Sequence, residues 1–133
     1  MAGKPKIGKV LVVEDEALVA LATEETLLDA GASKVTLVST TEEALLALKS
    51  ESPDVVVLDV HLADRDDGWT VAELVSVFGP RAPRIVFATG APDAIPPEIA
   101  KMGKVLAKPY LPEELVSAVT KKRPHGLLAG LRK

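Results

Sequence analysis

The sequence predicts an α/β fold: a doubly wound, five-stranded parallel sheet with helices on both faces. Three observations carry that expectation. Apolar runs of strand length alternate five times with segments of helical periodicity. The runs are continuously apolar, as strands covered on both faces must be. The chain has 133 residues, 47% of them hydrophobic, which suits one domain with a proper core. Only 3% are aromatic, so that core has to be built from Val, Leu, Ile and Ala.

Residues 1–8 read as a loose leader, 9–123 as the folded domain and 124–133 as a C-terminal tail. The first strand is expected over Lys9–Val13. The first helix runs from Ala17 to about Asp29, with Leu18, Leu21, Ala22 and Leu28 as its inner face and Gly31 as its stop. Val35–Val38 is a short second strand. Thr40 and Glu43 have capping-box spacing, so a second helix starts there. It buries Ala44, Leu45 and Leu48 and breaks at Ser52-Pro53. The third strand is Asp54–Leu58. A polar loop with Asp64, Arg65, Asp66 and Asp67 follows. Val71, Leu74, Val75 and Phe78 then repeat at i, i+3, i+4, i+7 and give a third helix, ended by Gly79-Pro80. The fourth strand is Arg84–Ala88. Pro92, Pro96 and Pro97 confine any helix in 91–103 to a piece around Glu98–Met102. The fifth strand is Lys104–Ala107. The last helix runs from Pro112 to about Lys122. Glu113 and Glu114 in its first turn and Lys121, Lys122 and Arg123 at its end suit the helix dipole. Leu127, Leu128 and Leu131 in the tail extend that helix, cover a partner or fray.

Composition narrows the function. A net charge of -3 disfavours a nucleic-acid surface. With no cysteine, disulfide and thiol chemistry are excluded. No apolar run approaches the roughly 20 residues of a membrane span. The basic start lacks the apolar stretch of a signal peptide. These features lead us to expect a cytoplasmic protein that binds neither nucleic acid nor membrane.

The strand ends carry the chemistry. The first apolar run ends in Glu14-Asp15-Glu16, the third in Asp59, the fourth in Thr89-Gly90 and the fifth in Lys108-Pro109. Ligands of open parallel sheets bind outside the carboxyl ends of the strands. Parallel, adjacent strands would therefore bring acids, a hydroxyl and an ammonium into one site. Two carboxylates about 4 Å apart repel by on the order of 4 kcal/mol at an effective dielectric near 20. A hard divalent cation offsets that, and Mg2+ fits one or two carboxylates plus a phosphoryl oxygen. Asp59 then stays ionised and can attack phosphorus, while the cation, Lys108 and Thr89 meet the phosphoryl oxygens. Glu16 has a simpler reading beside this one, as a charge favouring the helix dipole.

These marks taken together resemble a bacterial two-component response-regulator receiver domain over about residues 8–123. They are Val12-Val13-Glu14-Asp15-Glu16, Leu58-Asp59, Gly68, Ala88-Thr89-Gly90 and Ala107-Lys108-Pro109-Tyr110. The resemblance implies a flavodoxin-like strand order, 2-1-3-4-5. It implies Asp59 as phosphoacceptor, and a metal site of Glu14, Asp15, Asp59 and the backbone carbonyl of His61. In that site Asp15 binds Mg2+ directly and Glu14 through water, with Mn2+ or Ca2+ as substitutes. It further implies Thr89 and Lys108 as phosphoryl-binding switch residues and a cis Lys108-Pro109 peptide. Phe87-Ala88-Thr89-Gly90 is similar to a single-domain subgroup whose members continue with a small residue and Tyr; here Ala91 fits and Pro92 departs. Glu14 stands where Asp is commoner. Val105 stands where an aromatic switch residue is common. The loop from Asp59 to Gly68 is one residue longer than usual, with Ala63 in place of a proline.

The implied partners are a sensor histidine kinase or phosphotransfer protein upstream and an unidentified protein downstream. The implied protein is not an enzyme. It is a stand-alone receiver, monomeric or dimerising on phosphorylation. Its output face is formed by the helix after the fourth strand, the fifth strand and the last helix. The rivals are a metal-dependent phosphatase with an Asp nucleophile, a flavin-binding domain and a pseudo-receiver that binds partners unphosphorylated. The phosphatase wants a second acid at position 61, which is His. The flavin site wants a Gly-rich phosphate loop where Glu14-Asp15-Glu16 stands. The intact acidic site speaks against the pseudo-receiver.

Overall fold

Val, Leu and Ile dominate the apolar runs, and each run forms a strand. The strands are β1 (Lys9–Val13), β2 (Lys34–Val38), β3 (Val55–Asp59), β4 (Arg84–Thr89) and β5 (Lys104–Ala107). All neighbours pair in parallel in the order β2-β1-β3-β4-β5. The computed structural model describes residues 7–60, 75 and 82–120. From β1 the chain moves outward to β2, then crosses back to β3 and on to β5, so the winding reverses between β1 and β3.

Alternation of side chains divides the core in two. Leu11, Val13, Val56, Leu58, Ile85 and Phe87 face one layer, where α2 (Thr41–Glu51) brings Ala44 and Leu48 and the short α3 (Pro97–Ala100) brings Ile99. Val10, Val12, Val55, Val57, Ala88 and Leu106 face the other. That layer is covered by α1 (Ala17–Asp29) through Leu27 and by α4 (Pro112–Val119) through Leu115 and Val119. The same alternation places Glu14, Asp59 and Lys108 on the α1/α4 side, each two residues past a core position of that layer.

Several elements differ in detail from the sequence expectation. The inner face of α1 is Ala20, Thr23 and Leu27, not the leucine set. Leu18, Leu21 and Leu28 are 83%, 54% and 45% exposed, and Ala22 is exposed too. This helix is apolar on most sides, so leucine positions do not mark the buried one; the small Ala20 and Thr23 let it lie close to the sheet. Thr40 caps α2 by accepting from the Glu43 N–H at 3.1 Å, but the Glu43 carboxylate reaches back to the Ser39 N–H rather than to Thr40. Leu45 is only partly buried. The short helix begins at Pro97, where a missing N–H costs nothing, and a 3-10 turn at Pro92–Ala94 precedes it. Ile7 and Gly8, read as leader, belong to the fold: Ile7 is buried, and the Gly8 carbonyl accepts from the Ser33 N–H at 2.9 Å. Of the third expected helix only Val75 is described; it is helical and buried. Val71, Leu74, Phe78, the Asp64–Asp67 loop, Lys121–Arg123 and the tail lie outside the described residues. Among the described residues no helix is long and apolar enough to cross a membrane.

Candidate functional site

Register assembles the site. Val13 pairs with Leu58, so Glu14 falls level with Asp59; Asp59 pairs with Ala88, and Thr89 pairs with Ala107. The ladder continues past the strands at both flanks. The Glu14 N–H donates to the Val38 carbonyl at 3.0 Å, and the Lys108 N–H donates to the Thr89 carbonyl at 2.7 Å. Backbone hydrogen bonds therefore hold the residues that bear the acid and the ammonium.

Glu14, Asp15 and Asp59 each offer a carboxylate oxygen within 4.8 Å of the others. Glu14 and Asp59 are buried and Asp15 is exposed. The Lys108 ammonium donates to Glu14 Oε1 at 2.8 Å and lies 3.6 Å from Asp59 Oδ2. The other Glu14 oxygen, Oε2, accepts from the Glu16 N–H at 3.2 Å, at the head of α1. Burial draws the Lys108 pKa down, but the hydrogen bond to Glu14 and the charges of Asp59 and Glu14 outweigh it. The net shift is upward, so Lys108 is an ammonium throughout the neutral range. Three carboxylates against one ammonium leave two negative charges, which a divalent cation matches. The donors are hard oxygens, as Mg2+ requires.

Thr89 is buried at the end of β4, and its hydroxyl accepts from the Ala91 N–H at 2.9 Å. By strand alternation its side chain leaves β4 on the Phe87 side, opposite to Asp59 and Lys108. Lys108-Pro109 is a cis peptide. His61 and Gly68 lie outside the described residues. Sequence reasoning missed one contact: Tyr110 Oη and Thr23 Oγ1 are 3.2 Å apart, tying the segment after Lys108 to α1. Nothing in the sequence signals that pairing of residues 87 positions apart. It also missed a groove of about 580 Å3 that runs from Lys108 along α1, between Leu18, Val19 and Ala22 on one side and Pro109, Tyr110 and Leu115 on the other.

Sequence comparison matches residues 10–120 to the response regulator receiver domain. With most of its length matched, the chain belongs to that family, the receiver module of two-component systems. A response regulator receiver protein from Sinorhizobium medicae WSM419 is 30% identical, with 96% of this chain and 98% of that chain covered and a TM-score of 0.68. A CheY-like response regulator receiver domain from Methylobacillus flagellatus shares the fold at 22% identity, covering 83% of this chain and 93% of its own, with a TM-score of 0.74. The response regulator PhyR from Brucella abortus has a TM-score of 0.77 at 20% identity; 97% of this chain covers 53% of that one. No curated protein matches.

Proposed function

We propose that this receiver takes a phosphoryl group onto Asp59 from the phosphohistidine of a sensor kinase or phosphotransfer protein. The observation that carries the reading is the convergence of Glu14, Asp15, Asp59 and Lys108 from three strand ends. Asp15 and Asp59 would hold a Mg2+ ion, with Glu14 beside them and the His61 carbonyl as a further donor. When bound, that ion offsets the repulsion among the carboxylates and part of the charge on the phosphoryl oxygens. An Asp59 oxygen attacks phosphorus, the P–N bond to the donor imidazole breaks, and an acyl phosphate forms on Asp59. Lys108 holds one phosphoryl oxygen by its ammonium; Thr89 meets another once its hydroxyl leaves the Ala91 N–H and swings from the Phe87 side of β4 toward Asp59.

A protein donor must bring its imidazole to the mouth of the site and therefore cover the surface beside it. The apolar groove adjoining Lys108, with Leu18 83% exposed on its rim, supports a donor that docks there. Phosphorylation shifts a pre-existing equilibrium on the face of α3, β5 and α4, where Val105 is exposed. On this reading a separate downstream protein recognises the phosphorylated face. PhyR, of which 53% is covered, shows that this fold also occurs as part of a longer chain. We place the protein in the cytoplasm, where such donors act.

The test is intact mass after incubation with acetyl phosphate and Mg2+. One phosphate adduct is expected, absent from Asp59→Asn and from samples with chelator. An adduct that survives in Asp59→Asn, or none on the folded wild type, refutes the assignment. Steady turnover of phosphate esters would move the protein to the phosphatase reading.

A further inference from the structure

We infer that Glu14 is a positioning residue that takes the hydrogen bond of Lys108 and so leaves the lysine within ion-pair but not hydrogen-bond distance of Asp59, where the cation and the phosphoryl donor meet Asp59 without first breaking such a bond. The inference rests on the metal-dependent receiver reading and deepens it.

Lys108 follows β5 and Glu14 follows β1, with β3 and β4 between them. Three strand spacings of about 4.8 Å put their backbones on the order of 14 Å apart. Two long side chains reaching toward each other close that gap to a hydrogen bond of 2.8 Å. Neither backbone is placed to give way, because each is held by a ladder bond, to Val38 and to Thr89. An aspartate at position 14 has one methylene fewer. Its carboxylate would stop about 1.3 Å short, leaving the ammonium roughly 4 Å away and outside hydrogen-bond range.

The Glu14 carboxylate is committed at both oxygens, to Lys108 and to the Glu16 N–H. Lys108 meanwhile stands 3.6 Å from Asp59, close enough to steady its charge and too far to donate a good hydrogen bond. Glu14 thus serves the cation indirectly, by keeping Lys108 off a carboxylate that the cation needs. If residue 14 were aspartate, Asp59 would become the nearest carboxylate to the ammonium, and a cation would have to compete with it.

Two measurements on the full chain test this. The first is the Lys108 ammonium resonance by NMR in metal-free buffer, which involves neither cation nor phosphate. It should move on Glu14→Asp while circular dichroism shows the fold intact. The second is Mg2+ affinity by calorimetry. Glu14→Asp should weaken binding by roughly 10-fold, the worth of one charge-assisted hydrogen bond. Adding Lys108→Met to Glu14→Asp should restore most of that loss, since nothing then covers Asp59. An unmoved Lys108 resonance, or Mg2+ bound equally or more tightly by Glu14→Asp, overturns the inference. Absence of Mg2+ binding to the wild type would instead overturn the metal-dependent reading, and the metal-free resonance would still decide the hydrogen bonding of Lys108.

Discussion

Replacing Asp59 by Asn should make the metal-free protein more stable, although it removes a buried ion pair. Asp59 is 3.6 Å from the Lys108 ammonium, an attraction of about 4.6 kcal/mol at an effective dielectric near 20. Its repulsion from Glu14, within 4.8 Å, is at least about 3.5 kcal/mol on the same footing. Asp15 is exposed and adds less, because water screens it. The Coulomb contributions nearly cancel. What remains is the cost of holding a charge in a site where the Asp59 side chain is only 8% exposed, and that cost is still several kcal/mol per ion after relaxation. Asn keeps the shape and sheds the charge, for a gain of about 2 kcal/mol, or roughly 6–10 °C in Tm for a domain of this size. Lys108→Met at the same site should act in the opposite sense. It leaves Glu14 and Asp59 buried without their ammonium, at a cost of about 3–5 kcal/mol. The assay is thermal melting followed by circular dichroism in low salt with EDTA, repeated with Mg2+. The cation should raise the wild type and narrow its gap to Asp59→Asn. If Asp59→Asn melts at or below the wild type in EDTA, the site does not carry the electrostatic tension derived from these distances.

Two further outcomes follow from single contacts. The Lys108 pKa is higher in the folded protein than in the unfolded chain. Its contribution to stability is therefore complete below the unfolded value and lost as the pH rises through the folded one. Urea midpoints should hold to about pH 10 and then fall more steeply for the wild type than for Lys108→Met. At the start of β5, a methyl group on Gly103 would run into the backbone carbonyl of Ile85, which cannot step aside as a side chain would. Gly103→Ala should cost about 2 kcal/mol, read as a lower urea midpoint with an unchanged m-value.

Much of the architecture was legible because strand signals here are local. Val10–Val13, Val55–Leu58 and Ile85–Ala88 are continuous apolar runs, and each did form a buried strand. The α2 start was legible because Thr40 and Glu43 are three residues apart in one turn. The inner face of α1 was not, because Leu18, Leu21 and Leu28 are as apolar as the buried Leu27, and only packing against the sheet distinguishes them. The shortness of α3 was visible in Pro92, Pro96 and Pro97, while the 3-10 turn before it depends on the Ala91 carbonyl accepting from the Ala94 N–H.

The candidate site shows the same division. Its residue types stood in the sequence, at the ends of runs that could only be strands. Their partners did not. Glu14 and Lys108 are 94 residues apart, and their 2.8 Å contact exists because four strands stack in register and one side chain is a methylene longer than aspartate. Sequence alone determined which chemical groups stand at the strand ends, since hydrophobic runs and their polar terminators are written residue by residue. Which carboxylate the lysine touches was decided only by the tertiary structure, because that choice depends on distances across the sheet that no local pattern encodes.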